Sequence, residues 1–280
     1  MKLKRRIGAV VYHAFVIAFG FIMIYPLIWM VFSSFKETDS IFREAGVLIP
    51  RHFKLENYLN GWKGFGGVSF GVFMRNSLIV TVSATVGAVV SSAVIAFGFA
   101  RLKFPGRKIW FSCVMLTMML PFQVVMIPQF IIFQKLQWVN TALPLIIPHY
   151  FGGAFFIFLN MQFIKGIPKE LDESAKIDGC SFYGIFVRII LPLIKPSLVT
   201  TAIFSFIWRW DDFFAALLYL NQPSKYTVSI ALKMFSDPSS QSDYGAMFSM
   251  ATVSILPIFV IFILFQKYLV EGISTEGLKG

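Results

Sequence analysis

The sequence is poor in charged residues and in cysteine. Charged side chains make up 14% of the 280 residues, whereas soluble domains carry about 25%, which argues against a water-soluble monomer. The two cysteines, Cys113 and Cys180, form no CxxC pair, and the three histidines are scattered. The sequence therefore predicts neither a disulfide framework nor a metal site. The phosphate-binding pattern GxxxxGK[ST] is also absent from the sequence, which excludes a nucleotide-binding loop of that kind.

Hydrophobic residues make up 57% of the chain, and 33 of them are phenylalanine. Several apolar runs exceed the length of about 20 residues that crosses a bilayer, whereas a soluble core would need shorter runs. The first run is too long for a signal peptide and is expected to stay as an anchor. We predict an all-α polytopic membrane protein with six transmembrane helices, at about 8–33, 76–100, 109–133, 143–163, 198–220 and 245–268.

The positions of the basic residues predict the orientation in the membrane. With a cytoplasmic N-terminus, the inside loop 101–108 holds four basic residues and no acid, whereas the outside loops 134–142 and 221–244 hold three lysines together. Cytoplasmic loops carry an excess of Lys and Arg. Both termini are therefore predicted to be cytoplasmic. We explain the net charge of +11 by these basic cytoplasmic loops and not by nucleic-acid binding.

Two predicted spans carry unusual residues. A proline inside a span leaves backbone carbonyls without hydrogen-bond partners, which is tolerated where they face protein or a water-filled cavity. The third predicted span contains Pro121 and Pro128, with Gln123 near them. These prolines indicate either such a cavity or a simple kink. Small residues four positions apart let helix backbones approach closely. The second span has two such stripes, Ser83, Gly87 and Ser91 beside Ala84, Ala88, Ser92 and Ala96.

A short acidic helix is predicted within residues 164–197, between the fourth and fifth spans. Three acids between 170 and 173 lie in its first turn, where the positive end of the helix dipole favours anions. Gly179 supplies the left-handed residue that ends the helix. Ser181 is expected to cap a second helix, which breaks at Pro192 and is too short to span the membrane.

One face of the acidic helix contains small side chains. Residues three and four positions apart share a helix face, which here groups Leu171, Ser174, Ala175 and Asp178. This face suits tight docking against another protein. An ordinary loop helix on the cytoplasmic side accounts for the same features.

The spacing of this segment is specific. Glu173, Ser174 and Ala175 are followed after three residues by Gly179, and nine residues later by Ile189, Ile190, Leu191 and Pro192. This resembles the EAA loop of ABC importer permeases, E-A-A-x3-G-x9-I-x-L-P, with Ser174 in place of a small alanine. We call residues 164–197 the coupling segment. The resemblance implies that its helix docks in a cleft of a cytoplasmic ATPase through Glu173, Ser174, Ala175, Asp178, Gly179, Leu191 and Pro192.

The resemblance extends over nearly the whole chain. NSLIV at 76–80, MLPFQVVMIP at 119–128, IPKELDESAKIDG at 167–179 and QKYLVEGISTEGLKG at 266–280 are similar to the carbohydrate-uptake branch, and specifically to the second permease of maltose-type and multiple-sugar importers. It implies a type I ABC importer permease fold, with residues 1–280 as a single transmembrane domain in a bacterial cytoplasmic membrane. The implied partners are a second permease, an ATPase dimer and an extracytoplasmic sugar-binding protein.

The middle of the fifth predicted span is charged. Buried charges inside a membrane are costly and commonly functional, and aromatic rings beside charged groups suit a sugar. An internal ion pair that fixes helix packing explains the same residues, and if the span ends near Trp210 the charges are interfacial and ordinary. The family often has W-N-x-F where this chain has Trp210, Asp211, Asp212 and Phe213. The candidates for the substrate path are Trp208, Arg209, Trp210, Asp211, Asp212 and Phe213.

Two functions are compatible with these features. The resemblance implies a non-catalytic subunit of an ATP-driven sugar importer, with no cofactor of its own and with ATP bound by the partner ATPase. The alternative is a proton-coupled secondary transporter, in which Asp211 and Asp212 carry protons. No nucleophile constellation or metal cluster in the sequence favours a membrane-embedded enzyme.

Overall fold

The computed structural model describes residues 2–236 and 243–277, and the side chains of 8–236 and 243–268. The described residues are mainly helical, with turns and connections between the helices and one isolated bridge between Phe65 and Val68. The first helices are α1 (Lys2–Ser33), α2 (Thr38–Arg43), α3 (Glu56–Lys63), α4 (Phe70–Arg101), α5 (Arg107–Met119), α6 (Phe122–Lys135), α7 (Leu143–Ile146) and α8 (Ala154–Gly166). The remaining ones are α9 (Glu170–Ile177), α10 (Phe182–Ile185), α11 (Leu191–Leu193), α12 (Lys195–Trp210), α13 (Phe214–Tyr219), α14 (Val228–Met234), α15 (Tyr244–Ser254) and α16 (Leu256–Gly277).

Several of these helices have the length and composition of membrane spans. Within the described ranges, four helical stretches qualify by themselves, and the number rises to six if each of two bent helix pairs counts as one span. The bent pairs join α5 to α6 at 102° and α10–α11 to α12 at 75°. The prediction of an all-α multi-pass membrane protein is confirmed.

The predicted spans 109–133 and 143–163 are each interrupted. The first breaks at Pro121, which has an extended backbone (φ −65°, ψ 143°) and precedes α6. Proline restricts the residue before it to extended conformations, which ends the preceding helix. The second consists of α7, a 3₁₀ turn at Ile147–Phe151 and α8, with Gly152 between the last two at a φ of +90°. Glycine adopts this left-handed backbone without a steric penalty.

The predicted continuous span 198–220 is wrong, because α12 ends at Trp210 and a new helix, α13, begins at Phe214. Asp212 explains the break. Its Oδ1 atom accepts a hydrogen bond from the backbone N–H of Ala215 at 3.1 Å, as a helix-capping side chain does. The charges are therefore at a helix end and not inside a continuous helix.

The chain divides into two compact units, the first formed by Met1–Gly71 and Ala231–Leu256. Its centre is Asn57, which is buried and donates hydrogen bonds from Nδ2 to the carbonyls of Ser34 and Lys36, both at 2.8 Å. Ser249 on α15 donates to the carbonyl of Asn57 at 2.9 Å. These hydrogen bonds fasten α3 to α15 and to the chain that follows α1.

The second unit comprises Val72–Ile230 and Pro257–Gly280. The expected packing role of small residues in α4 is confirmed, since four of them are almost completely buried: Ala84, Ala88, Ser92 and Ala96. Gly87 lies so close to the ring of Tyr150 that an added Cβ would approach it to 2.5 Å. Small residues thus allow the chain between α7 and α8 to lie directly on α4.

A buried polar cluster joins α8 to α12 in the same unit. Asn160 donates from Nδ2 to the hydroxyl of Thr201 at 3.2 Å and accepts from the hydroxyl of Ser197 at 2.7 Å. All three residues are buried. Hydrogen bonds between helices satisfy polar groups that lipid cannot, so this cluster fixes how α12 lies on α8.

Candidate functional site

A cavity of about 840 Å³ lies in the second unit. Its wall is formed by α6, by the α7 region with its 3₁₀ turn, and by the end of α12 with the residues that follow. The polar and aromatic side chains that line it are those of Phe122, Gln123, Gln129, His149, Trp208, Arg209, Asp211, Asp212, Phe213, Phe214 and Tyr219. We refer to it as the cavity.

An ion pair lies in the cavity wall. The Nη1 atom of Arg209 is 3.1 Å from Oδ2 of Asp212, and both side chains are partly exposed. The same Nη1 atom is 3.3 Å from Nε2 of His149. Because a guanidinium has donors and no acceptor, His149 accepts this hydrogen bond. Arg209 therefore connects α12 to the 3₁₀ turn that carries His149.

Asp212 is held in place from several directions. Besides the ion pair and the Ala215 N–H, its backbone carbonyl accepts a hydrogen bond from the hydroxyl of Ser229 at 3.1 Å. A carboxylate with fixed hydrogen bonds presents a defined orientation to the cavity. Asp211, the preceding residue, is exposed and also lines the cavity.

The two tryptophans of α12 have different surroundings. Trp208 lines the cavity, is 43% exposed and packs near Phe155 and Phe156 with ring centroids 5.4 and 5.3 Å away. Trp210 is 5% exposed and stacks on Phe206 at 5.6 Å, outside the residues that line the cavity. Trp208 is therefore placed to contact a ligand, whereas Trp210 is placed to pack.

The sequence did not single out three polar residues of the cavity wall, Gln129, His149 and Tyr219. His149 is 60 residues from Arg209 along the chain, so no local pattern joins them. Gln123 is different, because its position between Pro121 and Pro128 was a sequence signal for a cavity, and the structure places Gln123 in the cavity wall.

The helix of the coupling segment ends as its sequence predicts. Gly179 has a φ of +81°. Its N–H donates to the carbonyl of Lys176 at 3.0 Å, and the N–H of Cys180 donates to the carbonyl of Ala175 at 2.9 Å. This pair of bonds is the Schellman motif, which satisfies the last carbonyls of a helix. The predicted cap of the next helix is confirmed as well, since Ser181 Oγ accepts from the N–H of Gly184 at 3.2 Å.

The helix α9 has a buried side and an exposed side. Asp172 and Ala175 are buried, and Ala175 belongs to an apolar cluster with Ala96 and Phe97 of α4. The exposed side carries Glu173, Ser174, Ile177 and Asp178, and Ile177 is 87% exposed. Ala175 thus packs inside this chain, and Ile177, which sequence reasoning did not select, is the most exposed apolar side chain of the helix.

Leu191 and Pro192 lie in a helix that continues past the expected break. Residues Phe186–Ile190 form a π-helical stretch, α11 follows it, and the chain turns only at Ile194. A π stretch leaves a backbone carbonyl without its usual N–H partner, and proline has no N–H to offer. Pro192 is therefore accommodated without ending the helix, and the predicted break at Pro192 is wrong by two residues.

The fold and site define a multi-pass helical membrane protein with a polar cavity at a break between two helices. A model of the family described as "Binding-protein-dependent transport system inner membrane component" matches residues 88–275. The chain belongs to this family, and it is accordingly a transport subunit of the membrane.

Relatives within the family carry names from carbohydrate uptake. The chain is 31% identical to the arabinooligosaccharides transport system permease protein AraQ of Halalkalibacterium halodurans, over 99% of this chain and 100% of that protein. It is also 31% identical to the galactooligosaccharides transport system permease protein GanQ of Bacillus subtilis, over 100% and 99%. The resemblance to the carbohydrate-uptake branch is thereby confirmed.

A solved structure has the same fold. The crystal structure of a bacterial ABC transporter involved in import of the acidic polysaccharide alginate superposes with a TM-score of 0.80. The match covers 94% of this chain and 96% of that chain at 22% sequence identity. The predicted ABC importer permease fold is confirmed. Family membership favours an importer subunit over the alternative of a proton-coupled secondary transporter.

Proposed function

We propose that this chain is the membrane-spanning permease subunit of an ATP-driven importer, and that it translocates a sugar or oligosaccharide delivered by an extracytoplasmic binding protein. The single observation that carries the proposal is the cavity, where indole, guanidinium, carboxylate, imidazole and amide groups share about 840 Å³. Sugar rings stack on aromatic faces, and their hydroxyls exchange hydrogen bonds with charged and amide groups. The names of AraQ and GanQ support an oligosaccharide as cargo.

The proposed substrate path assigns different tasks to the candidate residues. Trp208 stacks on the sugar, and Arg209 and Asp212 bind its hydroxyls while holding each other in place. Asp211 and Phe213 extend the same wall of the cavity. Trp210 supports this wall from its buried position against Phe206.

We also propose that α9 docks on a cytoplasmic ATPase. The exposed Glu173, Ser174 and Asp178 would make the polar contacts, and Ile177 would bury its side chain in the docking cleft. Gly179 ends the helix and directs the chain into the next one. Burial of a large aliphatic side chain contributes about 1.5–3 kcal/mol, so Ile177 would be a main anchor. Leu191 and Pro192 would support this helix through the π-containing helix that follows.

The proposed complex contains a second permease, two ATPase copies and a sugar-binding protein. ATP is bound and hydrolysed in the partner ATPase, so this chain needs no cofactor. Residues 1–280 act as one permease domain in the lipid of a bacterial cytoplasmic membrane, with both termini in the cytoplasm. Segments 36–75 and 221–244 would face the binding protein; residues 237–242 of the second segment lie outside the described residues.

The test is uptake of a labelled oligosaccharide into proteoliposomes that contain the whole importer. We expect uptake to require both ATP and the loaded binding protein, and to persist when a protonophore collapses the proton gradient. Uptake that follows the proton gradient and ignores ATP would instead identify a secondary transporter, with Asp211 and Asp212 as its proton sites.

A further inference from the structure

A buried ion pair connects α9 to α4. The Nε atom of Arg101, the last residue of α4, is 2.8 Å from Oδ2 of Asp172, and the two side chains are 4% and 10% exposed. The Nη2 atom of Arg101 also donates a hydrogen bond to the backbone carbonyl of Ile167 at 2.8 Å. One guanidinium therefore holds both the carboxylate inside α9 and the chain that leads into α9.

The surroundings of this pair are apolar. Beside it, Ala96 and Phe97 of α4 and Ala175 of α9 pack in one buried cluster. The Oδ1 atom of Asp172 and the Nε atom of Arg101 are buried and make no hydrogen bond among the described residues, so the 2.8 Å contact of Nε with Oδ2 is a close ion pair and not an aligned hydrogen bond. The charge of Asp172 is thus compensated through Arg101, and separating the two groups would leave a charge in a site with little water.

The ion pair does something that the apolar cluster cannot do alone. Apolar contacts are non-directional, so they do not by themselves select one partner for Asp172. The guanidinium of Arg101 contacts Asp172 as an ion pair through Nε and donates a hydrogen bond from Nη2 to the carbonyl of Ile167, so it restrains α9 and the chain before it at two points. The pair therefore fixes the position of α9 along α4.

From Arg101 the connection continues through α4 towards the cavity. Ser91 lies ten residues earlier in the same helix, at about 15 Å along its axis. Its single hydroxyl proton is shared between the carbonyl of Gly87 in the same helix, at 2.6 Å, and the carbonyl of His149, at 3.1 Å. The ring of His149 contacts Arg209 in the cavity wall. A displacement of the Arg101 end of α4 would thus move groups that touch the cavity.

We propose that the Arg101–Asp172 pair is the rigid link through which movement of α9 reaches α4 and the cavity, and that both are positioning residues for coupling ATP hydrolysis to transport. This inference rests on the proposed function. It differs from the docking of α9, since both residues are buried within this chain and face away from the exposed side of the helix.

The test uses the complete importer in proteoliposomes and measures oligosaccharide uptake and ATP hydrolysis in the same preparation. Asp172→Asn keeps the shape of the side chain and removes its charge, Arg101→Gln removes the cation, and the double variant Arg101→Asp with Asp172→Arg exchanges the two charges. We expect each single variant to bind the ATPase and hydrolyse ATP, with uptake per ATP reduced at least tenfold. The exchanged pair should recover a substantial part of that loss.

The matched controls are Glu170→Gln, an exposed acid on the same helix, and Lys103→Ala, an exposed base two residues after Arg101. Both should keep the ratio of uptake to hydrolysis. A proportional fall of uptake and hydrolysis in the single variants, or an unchanged ratio, overturns the proposal. Failure of even Asp172→Asn to assemble with the ATPase overturns it too, because the pair would then serve folding. Absence of ATP-dependent uptake in the unmodified importer would instead refute the proposed function.

Discussion

The helix α9 and the cavity differ in how far apart along the chain their residues lie. The α9 residues proposed to dock lie between positions 173 and 178, and one glycine ends their helix. The cavity joins residues from 122 to 219, on three separate helical regions. A site made by one helix turn is specified by spacing, whereas a site made by distant helices is specified by packing. Substitutions should therefore act differently in the two places, on partner binding in α9 and on cargo binding in the cavity.

The largest effect is expected at Gly179. Gly179→Val places a β-branched residue at a φ of +81°, where it is a steric outlier at a cost of about 1–2 kcal/mol or more. The turn after α9 would change, and we expect ATPase binding and uptake to be lost while the chain still inserts in the membrane. Co-purification of the ATPase and uptake measure this.

Gly179→Asn is the matched control, because Asn tolerates the left-handed backbone. Since an added Cβ at position 179 would meet no atom of this chain within 4 Å, Asn should retain most of the activity. Equal loss in both variants would mean that the ATPase cleft rejects any side chain here, and that the turn is not the reason.

The exposed Ile177 should have the next largest effect. Ile177→Ser removes an anchor worth about 1.5–3 kcal/mol when buried, which corresponds to a roughly tenfold or greater loss of ATPase affinity. Ile177→Leu should retain the affinity. Titration of the ATPase against the purified membrane subunit measures both. An unchanged affinity in Ile177→Ser would place the docking surface elsewhere on α9.

In the cavity, Asp212→Asn removes the partner of Arg209 without changing the shape of the side chain. A hydrogen bond to a charged group contributes about 1.5–3 kcal/mol, so we expect uptake to fall about tenfold with the complex still assembled. The double variant Arg209→Gln with Asp212→Asn separates two explanations. Recovery of uptake would indicate that the pair only fixes packing, whereas continued loss supports contact with the cargo.

The smallest effect is expected from Trp208→Ala, compared with Trp210→Ala. Loss of one stacking contact costs about 0.5–1.5 kcal/mol, so Trp208→Ala should raise the substrate concentration for half-maximal uptake several-fold and lower the unfolding free energy less than Trp210→Ala does. Trp210→Ala empties a buried site and should instead lower the unfolding free energy by about 3–5 kcal/mol. If Trp210→Ala weakened uptake and Trp208→Ala lowered stability, Trp210 would be the residue that contacts the cargo and Trp208 the one that packs.

The sequence predicted the coupling segment in more detail than the cavity. The helix, its end at Gly179 and the cap at Ser181 all follow from residues a few positions apart, whose backbone preferences are local. The sequence did not predict which side of α9 is exposed. Ala175 was assigned to the docking face, but burial against Ala96 and Phe97 depends on where α4 ends.

The sequence named some residues of the cavity wall, among them Trp208, Arg209, Asp212 and Phe213, but it did not name His149 or Tyr219. Buried charge is rare in a span, so Arg209 and Asp212 were noticeable in the sequence. The break after Trp210 and the contact of His149 with Arg209 were not predictable from spacing. Both depend on hydrogen bonds formed between segments that packing brings together.

The sequence by itself determined the class of the molecule, because long apolar runs have to be helical in lipid, where each backbone group must find a partner within its own helix. It also determined the spacing of the coupling segment. Only the tertiary structure decided which side of α9 is free, that Trp208 and Trp210 have different surroundings, and that Arg101 and Asp172 meet. These facts depend on contacts between residues far apart along the chain, such as Arg101 and Asp172, which are 71 positions apart, and no local backbone preference encodes such a contact.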